Sequence, residues 1–511
     1  MDGREIELKL ALTPDDMTRL AGRPCLVENR RGEPALKHLS SLYFDTPDFT
    51  LAAQGISVRV RKTGDGHVQT VKTAGTAISG LFDRDEWEVP LTSPRLDPEQ
   101  LRVTGLAALC EDDVAERLVP AFATEIKRTI YRLGGDDWEV EAALDIGEVV
   151  AGELSEPICE IELELVRGAP AHLFVLARQV QEEVAARPMS LSKSDRGFRL
   201  ASGHAAAPIK ARAPLLTTEM SVTEAFQTIA RSCLDHLLLN ERCLLATGDG
   251  EAIHQMRVAL RRLRSASKVF RGILASPQSD EIKGDMRWLL EHLGPARDAD
   301  VFLNEIIDPV LAQHPDNKGL KALHAFWSKD RDLRLNAAIN AVRSRRYCAL
   351  VLRLGQWVET GDWLGTSLAP PRRKLAEPVS SFAGRRLIKG VRKLLRLGGD
   401  NPSKLSPENQ HAVRIQCKQV RYSGEFFAAL VPRKHMKVFL AELSELQDVL
   451  GQLNDIAVAG PKLSGKTSEP GSSRAAGLVA GWHQARRSSL LSEVDKAWKR
   501  WRACPVPWQD G

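Results

Sequence analysis

Charged and apolar residues alternate at the start of the chain, where Glu5, Glu7 and Lys9 fall between Ile6, Leu8 and Leu10. A period of two over six residues predicts a strand with one charged and one apolar face. The same alternation recurs. Segments 4–10, 39–45, 56–62, 67–73, 84–90, 126–133, 137–145 and 158–166 read as strands, with turn signals at 63–66 and 134–137. Helical periodicity shows near 13–22, 97–108 and 170–186. Many strands with few helical interruptions predict an antiparallel sheet that curls or closes.

The pattern changes after residues 201–218, a small-residue, Pro-containing stretch that reads as a linker. Ser221 and Glu224 have capping-box spacing ahead of a 3.6-residue apolar period. Helical stretches then continue almost to the end, with residues 458–475 reading as a flexible loop. This half repeats itself. His254, Arg257, Arg261 and Arg264 recur 157 residues later as His411, Arg414, Lys418 and Arg421. The same shift takes Leu293–Gly294 to Leu450–Gly451 and Asp298 to Asp455. It implies a duplicated helical unit.

Composition sharpens the division. The 511 residues are 43% hydrophobic, enough for two or three packed domains and against disorder. Residues 1–200 hold 24 Lys and Arg against 35 Asp and Glu, a net of −11; residues 201–511 carry +16. An acidic half joined to a basic half suggests two jobs, the basic one directed at polyanions. No run of about 18 apolar residues predicts a membrane helix, and the first residues lack a signal-peptide pattern. Eight scattered cysteines without a CxxC pair suit a reducing compartment, so a cytoplasmic protein is expected.

The charged strands form a set. Arg59 and Arg61, Lys72, then Arg84, Glu86 and Glu88, then Glu160, Glu162 and Glu164 share the parity of the opening strand. Any one of these faces reads most simply as solvated. If the sheet closes, they instead line one lumen, where like charges repel unless neutralised. A divalent cation suits the carboxylates and phosphate suits the Arg and Lys set. Together these are the requirements of phosphoryl chemistry on a polyanion.

At this point the sequence resembles the CYTH superfamily, the triphosphate tunnel metalloenzymes. The resemblance rests on "EIELKL" (5–10), "YFDTPDFTLAAQGISVRVRK" (43–62), "QTVKT" (69–73), "RDEWE" (84–88), "ALDIGEV" (143–149), "EIELEL" (160–165) and "SKSDRGFRL" (192–200). It covers residues 1–202. It implies an eight-stranded antiparallel barrel with Mg²⁺ or Mn²⁺ and a triphosphate inside. Carried over by position, Glu5, Glu7, Lys9 and Lys193 are catalytic. Arg59, Arg61, Lys72 and Arg128 contact the triphosphate, as do Lys9 and Lys193. Glu5, Glu7, Asp145, Glu160 and Glu162 hold metal or orient water. Glu86, Glu88 and Glu164 share the parity with less support. Glu141 is an alternative to Asp145, and Lys127 to Arg128 if that strand slips by one residue.

In the second half, His254, Arg257, Arg261 and Arg264 make one helical stripe at i, i+3, i+7 and i+10, repeated by His411, Arg414, Lys418 and Arg421. A solvated face paired with Asp298 and Asp455 is the plain reading. A polyanion site is favoured, because a further basic run at 384–396 leaves the domain short of acidic partners. Residues 219–505 resemble the CHAD domain through "HQMRVALRRLR" (254–264) with "LGPARDADV" (293–301) and "HAVRIQCKQVRY" (411–422) with "LGQLNDIAV" (450–458). The resemblance implies two pseudo-symmetric four-helix bundles, about 219–370 and 371–505, that bind inorganic polyphosphate. Lys418 replaces an arginine and Asn454 stands opposite Arg297, so the second copy departs from the first.

The expected whole is therefore an α+β chain: a CYTH barrel at 1–202, a linker at 203–218 and a CHAD domain at 219–505. The expected function is metal-dependent hydrolysis of inorganic triphosphate, with polyphosphate as a second partner, no membrane, and association with polyphosphate granules in the cytoplasm. The competing readings are a non-catalytic polyphosphate adaptor and a CYTH enzyme acting on an organic triphosphate, of the adenylate cyclase or thiamine triphosphatase type. Aromatic content of 5% disfavours single-stranded nucleic acid.

Overall fold

The computed structural model describes residues 2–64, 66–110, 114–203, 205–365, 372–464 and 470–508. The chain forms two compact units. The first comprises residues 1–207 and 343–361; the second comprises 208–342 and 362–511.

Eight strands close the barrel of the first unit: β1 (Asp2–Ala11), β2 (Ala35–Asp45), β3 (Ile56–Thr63), β4 (Gly66–Thr73), β5 (Leu81–Leu91), β6 (Val119–Gly134), β7 (Glu139–Ala151) and β8 (Leu154–Arg167). Their order is β1-β8-β7-β6-β2-β3-β4-β5, and β5 pairs back onto β1. Every pairing is antiparallel. Short strands at Thr76–Ile78 and Arg187–Pro188 pair with β5 and β1. Asp65 of the expected 63–66 turn lies outside the described residues.

Closure turns the usual arrangement inside out. Outward-facing Val58 of β3 and Val71 of β4 pack under Leu51, Leu101 and Leu109 of short covering helices. The inward parity carries the charge. Towards one end it turns apolar: Tyr43, Phe122, Ile126, Val149 and Ile158 continue the faces that carry Ser41, Arg128, Asp145 and Glu160. Helix α2 (Lys193–Ser202) seats Phe198 in this plug, after helix α1 (Ala171–Glu183). Tyr43 stacks on Phe122 at 4.4 Å, and Phe198 meets Phe122 edge-on at 4.9 Å. A reciprocal capping box between Ser192 and Asp195 fixes where α2 begins. Lys193 is therefore held at the point where the plug meets the charged lumen.

The second unit is helical: α3 (Val222–Thr247), α4 (Gly250–Val269), α5 (Pro277–Val301), α6 (Lys318–Arg343), then α8 (Val379–Gly398), α9 (Pro407–Phe426), α10 (Arg433–Ser464) and α11 (Pro470–Ala503). The repeat of 157 residues is visible in the bounds. Val222 maps to Val379, Gly250 to Pro407 and Val269 to Phe426. The Ser221–Glu224 capping box forms as expected. Leu387, Val413, Phe439, Leu446 and Trp498 share one core built from α8, α9, α10 and α11. Leu320 and Trp327 of α6 join a separate core with Ala459 of α10 and Val479 of α11.

Three differences from the sequence reading have physical causes. Residues 458–464 and 470–475 are helical, ending α10 and opening α11, because Ala459, Leu463, Ala475 and Ala476 bury in that core; 465–469 lie outside the described residues. The linker is tethered at Ile209, whose backbone N–H bonds Asn240 and whose carbonyl accepts from the Asn240 amide; His204 is outside the described residues. Helix α7 (Arg345–Thr360) belongs to the first unit, where it packs on α1: Arg345 donates to the carbonyls of Gln181 and Glu182, and Gly355 sits against Phe174.

The plug predicts its own test. A Cβ at Gly197 would lie 2.0 Å from the Phe122 ring. Gly197→Ala should cost about 1–3 kcal/mol in urea unfolding of the full chain. An unchanged midpoint would contradict the tight seat of α2.

Candidate functional site

Strand register brings the charges together. Glu5 faces Arg84 across β1 and β5, Lys72 faces Glu86, Lys9 faces Glu162, Arg128 faces Asp145, and Asp145 faces Glu160. The result is a buried lattice of alternating sign. Lys72 Nζ lies 2.7 Å from Glu5 and 2.9 Å from Glu86. Arg84 bridges Glu5, at 2.8 Å, and Glu7. Lys9 lies 2.8 Å from Glu7 and also pairs with Glu162. Lys193 reaches Asp145 and Glu162, each at 2.7 Å, and Glu160 at 2.5 Å. Arg128 forks onto Asp145 at 2.7 and 2.8 Å and also pairs with Glu162.

The electrostatics follow from this geometry. Burial would raise the Glu162 carboxyl, but Lys193, Lys9 and Arg128 outweigh it and hold the group well below the usual carboxylate range. Asp145 is lowered against burial by Lys193 and Arg128. Lys193 is raised against burial by Asp145, Glu160 and Glu162. Asp145, Glu160 and Glu162 also offer carboxylate oxygens within 4.8 Å of one another. Three hard oxygen donors at that spacing fit Mg²⁺ or Mn²⁺. Glu5 and Glu7 stand outside this trio and face Lys72, Lys9 and Arg84.

The other side of the lumen is different. Arg61 donates to the Ser41 hydroxyl at 3.1 Å and forms no ion pair among the described residues. Burial and neighbouring Arg59 push its guanidinium down to about 10. Arg59 reaches Glu86 and Glu88 only at 3.8 and 3.7 Å, and its buried Nε has no partner. A cavity of about 70 Å³ lies between this basic side and the carboxylates.

The structure thus gathers Glu5, Glu7, Lys9, Arg59, Arg61, Lys72, Arg128, Glu162 and Lys193 around one cavity, with Asp145 and Glu160 buried behind it. Lys127 points outward and is exposed, so β6 keeps the register that presents Arg128. Glu86 lines the cavity and Glu88 is exposed. Glu164 lies opposite Glu7 and Glu141 across the ladders. Burial and Glu5, with Glu7 and Glu141, push it up to about 7. Two residues escaped the sequence reading. Arg84 carried the right parity but was grouped with its acidic neighbours. Arg196, on α2, bonds Glu160 at 3.2 Å and Glu156 at 2.7 Å, one helical turn beyond Lys193.

In the second unit the repeated stripes of α4 and α9 meet. Ser265 and Gln419 bond across them, as do Arg262 and Glu425. Arg261 then stands close enough to repel Arg257, Arg414 and Lys418. Burial and the nearby Arg414 and Arg261 bring the Lys418 ammonium down to about 7. Burial and Arg297 bring His254 down to about 4. The Nε atoms of Arg257 and Arg414 and His254 Nδ1 are buried without partners. Asp298 lies 3.5 Å from Arg257, and Asp455 attracts Arg414. The second copy closes more of its polar groups: His411 Nδ1 lies 3.0 Å from Asn454, and Arg421 pairs with Glu425 at 2.6 Å. Arg264 is exposed and unpaired.

Comparison with known proteins agrees with this division. Residues 3–198 match the CYTH domain and residues 228–464 match the CHAD domain. An inorganic triphosphatase of Haemophilus influenzae is 32% identical over 202 residues, which are 39% of this chain and 55% of that protein. The match thus spans about half the length of that relative. An uncharacterized protein of Mycobacterium tuberculosis is 23% identical over 431 residues, 81% of this chain and 80% of its own. The crystal structure of the CHAD domain from the plant Ricinus communis superposes with a TM-score of 0.51 at 30% identity, covering 59% of this chain and 98% of that one. The chain is a CYTH domain joined to a CHAD domain.

Proposed function

We propose that the barrel lumen hydrolyses inorganic triphosphate to phosphate and pyrophosphate, and that the helical unit binds inorganic polyphosphate. The observation that carries the first part is Arg61, a buried cation with no ion pair among the described residues, beside Arg59, whose carboxylates stand no closer than 3.7 Å, and across one cavity from Glu162 of the acidic trio. Buried charge without a partner is costly, so this side of the lumen favours an anion. The cavity lining is charged or hydroxyl-bearing throughout, with Tyr43 its sole aromatic ring among the described residues. That supports a bare triphosphate over a nucleotide, whose base needs an apolar slot.

In this reading Arg59, Arg61, Lys72 and Arg128 hold the phosphate oxygens, Arg by its planar fork and Lys as a point charge. Lys9 and Lys193 offset charge that accumulates on the leaving pyrophosphate. A carboxylate of the acidic set orients a water in line with the terminal phosphorus; the P–O bond to pyrophosphate breaks as the new P–O bond forms. Asp145, Glu160 and Glu162 would hold Mg²⁺ or Mn²⁺, with Glu5 and Glu7 as further carboxylates, and the ion would supply charge neutralisation for the phosphate. Arg84, clamped between Glu5 and Glu7, orients those two carboxylates.

Three outcomes test these assignments. Phosphate release from triphosphate should require Mg²⁺ or Mn²⁺ and stop on chelation. Arg61→Ala should lower kcat/KM by about 10²-fold or more at unchanged circular dichroism. Equal activity in wild type and variant would remove Arg61 from the site, and absence of turnover in wild type would favour the adaptor reading.

Glu164 gives a pH signature. Its folded pKa of about 7 exceeds an unfolded value of about 4.3, so between those limits the native state binds more protons. The contribution of Glu164 to stability should therefore fall as pH rises from about 4.5 to 7. Glu164→Gln should remove that slope, raising stability at pH 8 by up to about 3 kcal/mol in chemical denaturation and changing little at pH 4. A difference between Glu164→Gln and wild type that does not change across this window would contradict the placement of Glu164.

Lys418 predicts a pH dependence of binding in the helical unit. A lysine lowered to about 7 is charged below that pH, so polyphosphate should bind more tightly at pH 6 than at pH 8. Lys418→Arg, always charged, should flatten the dependence in fluorescence titrations. An unaltered pH profile in that variant would exclude Lys418 from the site.

A further inference from the structure

The basic run at 384–396 remains unused by the central cluster. On α8 it resolves into Arg385, Lys389, Arg392 and Arg396 at i, i+4, i+7 and i+11, with Lys393 beside them. These spacings form one stripe. All five side chains are exposed, while Phe382, Leu387, Val391 and Leu394 bury the opposite face. Arg385 pairs with Glu377; Lys389, Arg392, Lys393 and Arg396 have no ion pair among the described residues.

This stripe joins the one on α4. Lys268 continues the series 254, 257, 261, 264 at i+14; just past it Phe270 packs on Phe382 of α8 at 4.8 Å, and Lys393 of α8 stands close enough to repel Lys268. Arg264 and Lys268 are exposed and have no ion pair among the described residues. Cations thus run along about 21 Å of α4 and pass to α8 at Lys268 and Lys393, from which the stripe runs about 12 Å back to Arg385 and about 4.5 Å on to Arg396.

The duplication supplies an internal control. The 157-residue shift maps Arg385, Lys389, Arg392, Lys393 and Arg396 onto Thr228, Ser232, Asp235, His236 and Leu239, and maps Lys268 onto Glu425. Glu425 closes onto Arg262 and Arg421 instead of leaving a free cation. A stripe needed only to fold or dissolve the helix would have no reason to appear in one copy alone.

We propose that the α8 stripe extends the polyphosphate site into a one-sided track: a linear inorganic polyphosphate chain anchored between α4 and α9 leaves past Lys268 and lies along α8. This rests on the polyphosphate reading of the central cluster. A chain of evenly spaced charges and no bases matches a long row of cations with no exposed aromatic among them, which favours polyphosphate over nucleic acid. It also makes chain length the specificity variable. Tripolyphosphate is too short to occupy both segments, and each added contact deepens the salt dependence.

The test uses the full chain and two ligands, tripolyphosphate and long-chain polyphosphate, titrated over a range of salt. The variant is Lys389→Gln, Arg392→Gln, Lys393→Gln and Arg396→Gln together; all four side chains are exposed and outside the central cluster. Wild type should prefer the long chain. The variant should bind it about ten-fold or more weakly, with a log–log salt slope shallower by about four, and bind tripolyphosphate as wild type does. Undiminished long-chain binding by the variant would overturn the track. Single-stranded DNA competing as well as polyphosphate would overturn the choice of occupant. Arg414→Ala should weaken binding of the long chain; if wild type does not bind the long chain, the parent reading fails and the track fails with it.

Discussion

Burying a dozen ionisable groups inside a closed barrel is possible only if their charges are arranged in alternation, and most of the first unit follows from that constraint. An isolated charge in the lumen would cost several kcal/mol, so the Lys and Arg side chains other than Arg61 are set against carboxylates, and the strand register decides which. One residue of slip on β6 would present Lys127 for Arg128 and take from Asp145 the two-pronged guanidinium fork. The apolar plug of Tyr43, Phe122 and Phe198 holds α2, and α2 in turn delivers Lys193 and Arg196 to the acidic trio. The site and the fold share their supports. The incomplete compensation at Arg61, in a lumen otherwise balanced pair by pair, is the reason for proposing an anion on that side.

The helical unit meets the same constraint in a different way. It gathers cations on two symmetry-related helices and leaves them partly desolvated, with buried guanidinium nitrogens unpartnered and one lysine near neutrality. In the barrel, carboxylates lie beside the cations; here Asp298 and Asp455 only flank them. The first arrangement suits a site that must hold a small anion and act on it. The second suits a surface that collects a long one.

Much of this was legible in the sequence because closure converts a two-residue period into an inside and an outside. The eight long strands were readable from alternation, and the inward set from parity. Less legible were the features set by tertiary packing. Arg84 looked like one member of a charged edge, since nothing local reveals that β5 closes onto β1 and places it between Glu5 and Glu7. Arg196 lay in a segment whose helix was not anticipated. Residues 458–475 combine Gly, Pro and Ser and read as a loop, yet their alanines and Leu463 are buried by α6. Helix α7 could not be assigned by pattern either, because an amphipathic helix does not say which unit it covers.

The central claim is that Arg59 and Arg61 receive the triphosphate inside the barrel. The most direct measurement is calorimetric titration of inorganic triphosphate into the full chain carrying Arg414→Ala and Lys418→Ala, which silence the helical cluster, with and without Arg61→Ala. The account predicts a single saturable binding event that the Arg61 substitution weakens strongly. Binding of equal strength in both chains would contradict it and place the anion elsewhere.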